Sequence, residues 1–153
     1  MTEKTKAAGL DTRAAFQETL PLDYQLLAES TQADAIIQIA VQIQRILEAH
    51  PDLLNHGWRT PSVPTTPIEI TSKIVRQVQL TIAYLATHKI GRTISSYSLK
   101  HCVERWGAQN KLEPYTYVQN SSAIVGALLS GYAPVLAKGA PYPNVWFERG
   151  ARK

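Results

Sequence analysis

Five apolar residues, Ile70, Ile74, Val78, Ile82 and Leu85, recur at three- and four-residue spacing through the middle of the chain. That period places them on one side of an α-helix, and such a stripe needs other apolar surface to cover it. The segment predicts a helix over 67–90. Thr66 as N-cap, Pro67 at the first helical position and Glu69 at the third form a capping box in which the missing proline N–H costs nothing. Gly91 supplies a left-handed C-terminal cap.

Three further segments carry the same period. In 31–49, Ile36, Ile39, Ala40, Ile43, Ile46 and Leu47 share a face, Thr31 and Asp34 make a capping-box-like start, and Pro51 stops the helix. In 95–106, Leu99, Cys102, Val103 and Trp106 repeat, Ser95 or Ser96 caps, and Gly107 ends the element. In 120–130, Ile124, Val125, Leu128 and Leu129 are apolar, Asn120 or Ser121 caps, and Gly131 ends it. Residues 51–66 are a proline-rich connector that Trp58 is expected to pin to the core. Tyr115–Val118 is a short extended candidate. Val135–Ala137 and Val145–Phe147 are strand candidates around a turn-rich stretch, and they pair as a hairpin.

The fold expected is mainly α: a single helical domain over 31–148 with a small C-terminal β-hairpin. It is preceded by a flexible or partly helical segment 1–30 and followed by a basic tail 149–153. A length of 153 residues suits one domain. A single cysteine, Cys102, excludes an internal disulfide framework and a multi-cysteine zinc site. No run approaches the roughly 18–20 apolar residues that span a bilayer. The polar N-terminus lacks the apolar core of a secretory signal. The expectation is a cytoplasmic protein with no membrane partner.

Charge is unevenly distributed. Residues 1–70 hold five Lys/Arg against nine Asp/Glu, net −4, and residues 71–153 hold eleven against three, net +8. A surface of that sign attracts polyanions, nucleic acid foremost, or the acidic face of a protein. Residues 67–148 run helix, helix, helix, strand, loop, strand, the element order of a winged helix-turn-helix-like module, in which the last helix enters the major groove. On this reading Lys100, Arg105, Lys111, Lys138 and Arg149 contact phosphate. Gln119, Asn120 and Ser122 approach bases or backbone. Two features oppose it. About a dozen residues separate the last two helices where a helix-turn-helix uses roughly 3–4, and the last helix, SSAIVGALLSG, carries no Lys or Arg. Asn120 and Ser121 also read simply as helix caps.

The runs ISSYSLKHCVERWG, YVQNSSAIVGALLSGY and PNVWF resemble a module in small accessory proteins of phages, plasmids and proteobacterial genomes. Ser96, Tyr97, Leu99, Lys100, His101 and Glu104 match its first block. Tyr117, Val118, Asn120, Ile124, Gly131 and Tyr132 match the second; Pro143, Asn144 and Phe147 match the third. Ser121 stands where the module has glycine. The resemblance implies a mobile-element accessory origin and a compact helical module, and brings no catalytic residues.

No catalytic or metal signature stands out. His50, His56, His88 and His101 are dispersed, no HxxxH or CxxC occurs, and Cys102 lies on an apolar stripe. Only Glu104, Glu113 and Glu148 are acidic after residue 70, too few for paired-carboxylate hydrolysis. The function expected is a non-enzymatic nucleic-acid-binding accessory or regulatory protein without cofactor or metal, its partner nucleic acid, DNA in the first instance. The alternative is a protein-binding mobile-element factor that inhibits a host nucleic-acid enzyme, marked by exposed Trp106, Tyr132, Tyr142 and Trp146. Helix 31–49 is apolar over a wide arc, which suits either a central helix or a homodimer interface.

Overall fold

The computed structural model describes residues 32–91, 93–112, 117–136 and 142–148. The expected segment 1–30 and tail 149–153 lie outside them. The first helix, α1, spans Gln32–Ala49, and a two-stranded ribbon, β1 (Leu53–Leu54) and β2 (Gly57–Trp58), follows it. Then come α2 (Ser72–Thr87), β3 (Thr93–Ser95), α3 (Ser96–Gln109), α4 (Asn120–Leu129), β4 (Ala133–Val135) and β5 (Trp146–Glu148). The domain is mainly α with a C-terminal hairpin, as expected.

Helix α4 is the hub. It packs on α2, α3 and α1, and every residue from Ser121 to Ala127 is buried. A helix apolar on all sides belongs in the interior. Gly126 lets it approach α2, since a Cβ there would lie 2.6 Å from Cβ and Cγ2 of Thr81. Its end is as expected. Gly131 takes φ 84°, its N–H donates to Leu128 O, and Tyr132 N–H donates to Ala127 O at 3.0 Å, a Schellman closure.

Three boundaries differ from expectation. Helix α2 begins at Ser72, capped by the Thr71 hydroxyl accepting from Ile74 N–H, so Thr66, Pro67 and Glu69 form no capping box. Ile68 and Ile70 both pack on the core, alternating with exposed Pro67, Glu69 and Thr71. An extended chain puts alternate residues on one side, whereas a helix would turn these two about 200° apart. The helix closes at His88, whose N–H donates to Tyr84 O, rather than on Gly91. Helix α3 starts on Ser95 as expected, with Ser98 N–H bonded to the Ser95 hydroxyl. It runs through buried Gly107 and turns at Lys111, φ 54°.

The hairpin strands lie one to two residues from their expected positions and gain a third member. Strand order is β3-β5-β4, antiparallel throughout. Ile94, Phe147 and Pro134 stand in register on one row, with Phe147 fully buried. Ser95, Trp146 and Val135 form an adjacent row, on which Trp146 and Val135 are exposed. Trp58 packs against the core, edge-on to His50 at 5.6 Å. On α1, Ile39 and Ile43 are buried while Ile37 and Val41 are 60% and 47% exposed. Among the described residues no helix is long and apolar enough to cross a membrane.

Candidate functional site

The start of α4 is held by a distant side chain. Gln119 is the N-cap but makes no side-chain cap bond. Instead its N–H donates to Oε1 of Gln77 on α2 at 2.9 Å, and the Ser122 hydroxyl donates to the same oxygen at 2.9 Å. Gln77 thus satisfies a helix-terminal donor that has no local partner. Ser122 is 1% exposed, so the expectation that it approaches a nucleic acid is corrected: its hydroxyl is part of an interhelical bond.

Asn120 does not cap the helix either. Its Nδ2 lies 3.2 Å from His56 O, 3.2 Å from Pro143 O and 3.3 Å from Asn144 Oδ1. All three are acceptors, which fixes the orientation of the amide. One side chain therefore joins α4, the β1–β2 turn and the chain leading into β5. The turn can come this close because residue 57 is glycine. Gly57 has φ 125°, and a Cβ there would meet Pro143 O and Asn120 Nδ2.

Lys100, expected to contact phosphate, is 8% exposed. Its Nζ donates to Val118 O at 3.1 Å and to Glu104 Oε1 at 3.2 Å. The same Glu104 oxygen accepts from Val118 N–H at 2.8 Å, and Glu104 Oε2 pairs with His101 Nδ1 at 2.9 Å. Burial alone would raise the Glu104 pKa, but the Val118 N–H, the Lys100 hydrogen bond and charge, and His101 outweigh it and hold the carboxyl below its usual range. The Lys100–Glu104 pair thus grips Val118 by both backbone groups, and the lysine charge is largely compensated. The ammonium also lies 4.7 Å from the centroid of the Tyr117 ring and 6.0 Å from that of Tyr97, a cation–π geometry.

Above these anchors lies an open cleft of about 420 Å³. Tyr97, Tyr117 and Tyr142 line it, at 53%, 50% and 69% exposure. Gln119, Asn120 and Asn144 contribute amides, and none of the described lining residues is acidic. The three segments carrying the sequence resemblance meet here, through Tyr97 and Lys100, Tyr117 and Asn120, and Pro143 and Asn144. The arrangement offers aromatic faces, amide donors and acceptors, and one compensated cation.

The other expected phosphate contacts do not join it. Arg105 and Lys111 are exposed but do not line the cleft. Five residues along α3 turn Arg105 about 140° away from Lys100. Lys138 and Arg149 lie outside the described residues. Sequence reasoning missed Gln77, His56, Pro143 and Asn144 as parts of the site. Each sits in a helix stripe or a loop, and the one local clue is Gly57, a residue suited to a tight approach. Among the described residues no group of three or more His, Cys, Asp or Glu comes together. Cys102 lies beside Tyr84, whose hydroxyl is pushed up to about 12 by burial first and by the neighbouring thiol second. No protein-family model, curated protein or solved structure matches the chain.

Proposed function

We propose that the protein is a non-enzymatic nucleic-acid-binding accessory protein whose residues 67–148 form a winged-helix-like module. The cleft at the start of α4 carries the reading: exposed aromatic rings, side-chain amides and the absence of acid on its described lining suit a polyanion bearing aromatic bases. The order of α2, β3, α3, α4, β4 and β5, with β5 central in the sheet, supports the winged arrangement. Because α4 is enclosed, the cleft beside its start, lined by Gln119 and Asn120, meets the ligand in place of an exposed recognition helix. Arg105 and Lys111 add general attraction from other parts of the surface.

The test is binding of labelled duplex and single strand, titrated from low to physiological salt. Affinity is expected to fall steeply with salt, and the slope to flatten in Arg105→Ala/Lys111→Ala. No binding at low salt refutes the reading.

The second reading, a protein-docking factor that blocks a host nucleic-acid enzyme, draws on the exposed Val135, Leu136 and Trp146 of the hairpin. Of the four aromatics that would mark it, Tyr142 and Trp146 are exposed, whereas Trp106 and Tyr132 are partly buried. A homodimer through α1 is supported by exposed Ile37 and Val41. Sedimentation then gives a dimer mass that Ile37→Glu reduces to a monomer.

A further inference from the structure

We propose that the cleft is a single-base site: it takes one unstacked base of a single-stranded nucleic acid against Tyr97, Tyr117 and Tyr142. This rests on the nucleic-acid reading above and narrows it to strand type and base chemistry.

Three observations carry it. Tyr97 and Tyr117 flank one ammonium, at 6.0 and 4.7 Å from their centroids, so the two rings stand about 11 Å apart at most, within the span of a base and the rings that stack on it. Lys100 lies against Tyr117 and is itself fixed by Val118 O and Glu104, which anchors a ring that is 50% exposed. Half-exposed tyrosines held in this way form a stacking platform, and every base has a face to offer it. A base inside a duplex has neighbours on both faces and cannot enter.

The amides add a preference. Gln119 Oε1 and Asn120 Oδ1 are covered and have no hydrogen-bond partner among the described residues. The Asn120 amide cannot turn over to satisfy its oxygen, because its Nδ2 is committed to three acceptors. A buried acceptor without a partner is costly. An exocyclic amino group entering the cleft supplies the missing donor to Gln119 Oε1, with a small shift of that side chain, which makes no cap bond. Adenine, cytosine and guanine carry that group. Thymine and uracil do not. The site therefore prefers an amino-bearing base.

The experiment measures binding of the full chain to labelled eight-nucleotide strands of dA, dC and dT, to a dA strand with one abasic position, and to a duplex. The expected order is dA or dC above dT, with the duplex weakest. Tyr117→Leu and Tyr142→Leu are expected to weaken dA binding roughly 5- to 100-fold each, while Tyr142→Phe keeps it and circular dichroism shows the fold unchanged. Gln119→Met, which removes the Oε1 acceptor at similar side-chain length, is expected to erase the dA-over-dT preference. Equal affinity for duplex and single strand, insensitive to the tyrosine variants, overturns the single-base site and leaves the nucleic-acid reading standing. No binding to any strand overturns both. Binding of a proline-rich peptide that depends on the tyrosines, with no strand binding, assigns the cleft to peptide recognition instead.

Discussion

Gly126→Ala sets two opposed effects against each other. Alanine is the better helix former by about 0.8–1.0 kcal/mol, and nothing in the local conformation forbids it, since positive φ is confined among the described glycines to Gly57 and Gly131. Opposing this, the new Cβ would lie 2.6 Å from both Cβ and Cγ2 of Thr81 and 3.3 Å from Val78 O. Carbon atoms pack best at about 3.5–4.0 Å, so α2 and α4 must part by about 1 Å. No rotamer of Thr81 relieves the contact, because its Cβ is one of the two atoms struck. Its hydroxyl is also bonded to Gln77 O at 3.0 Å. Overpacking of a filled core costs about 1–3 kcal/mol, and parting the helices weakens the contacts on either side. It also disturbs the neighbouring Gln77–Ser122 bond. The net expectation is a loss of about 1 kcal/mol, the overpacking cost less the propensity gain. Urea unfolding followed by circular dichroism should show the midpoint falling by about 0.5 M with an unchanged slope. The swap Gly126→Ala/Thr81→Gly should be more stable than the sum of the single variants implies. A Gly126→Ala chain as stable as its parent, or more so, refutes the close contact between α2 and α4.

Two further outcomes follow from the anchors. Glu104→Gln should destabilise by about 2 kcal/mol at neutral pH, as expected for losing hydrogen bonds to a charged group. The folded-state pKa of Glu104 lies below its usual 4.5, so its contribution is complete above that value and is lost as pH falls through the folded pKa. Urea unfolding at pH 7 and pH 3.5 should therefore show the difference from the parent shrinking in acid; a pH-independent difference contradicts the account. Gly57→Ala should lower the melting temperature by about 8 °C, from a strained backbone of about 1–3 kcal/mol together with the displaced Pro143 carbonyl and Asn120 amide. It should also weaken whatever the cleft binds, and calorimetry with a binding titration reads both.

The helices were legible because their stripes are local. Ile39, Ile43, Val78, Ile82, Leu99 and Val103 are buried as their spacing requires. The start of α2 was misplaced because two local codes overlap there. Thr66-Pro67-x-Glu69 spells a cap, while Ile68 and Ile70 spell an extended strand, and packing on the core decides between them. Strand β3 was invisible because Thr93–Ser95 is too short to show a period, and it exists by pairing with β5 some 50 residues away in sequence. At the site, sequence reasoning expected Lys100, Asn120 and Gln119 to face a nucleic acid, and the bonds they make within the chain could not be read from it. Asn120 reaches back to His56 and forward to Pro143 and Asn144, and Lys100 reaches Val118 and Glu104. Those separations carry no local signal. The charge imbalance was real in composition, yet Lys100 is enclosed and Arg105 is turned away from it around α3.

Pro134 has a consequence for how copies of this protein meet. It stands opposite Phe147 in the outer strand β4 and has no N–H to give across the ladder. The pairing bonds of β4 must therefore run through Ala133 and Val135. In antiparallel alternation, that leaves Pro134 as the residue whose main chain faces outward. An arriving strand finds a carbonyl there and no donor. The hairpin beside it shows Val135, Leu136 and Trp146 to solvent, the composition that invites runaway strand stacking. A single ring closure at residue 134 denies that stacking its first hydrogen bond. The hairpin can present apolar side chains to solvent without becoming a seed for fibrils.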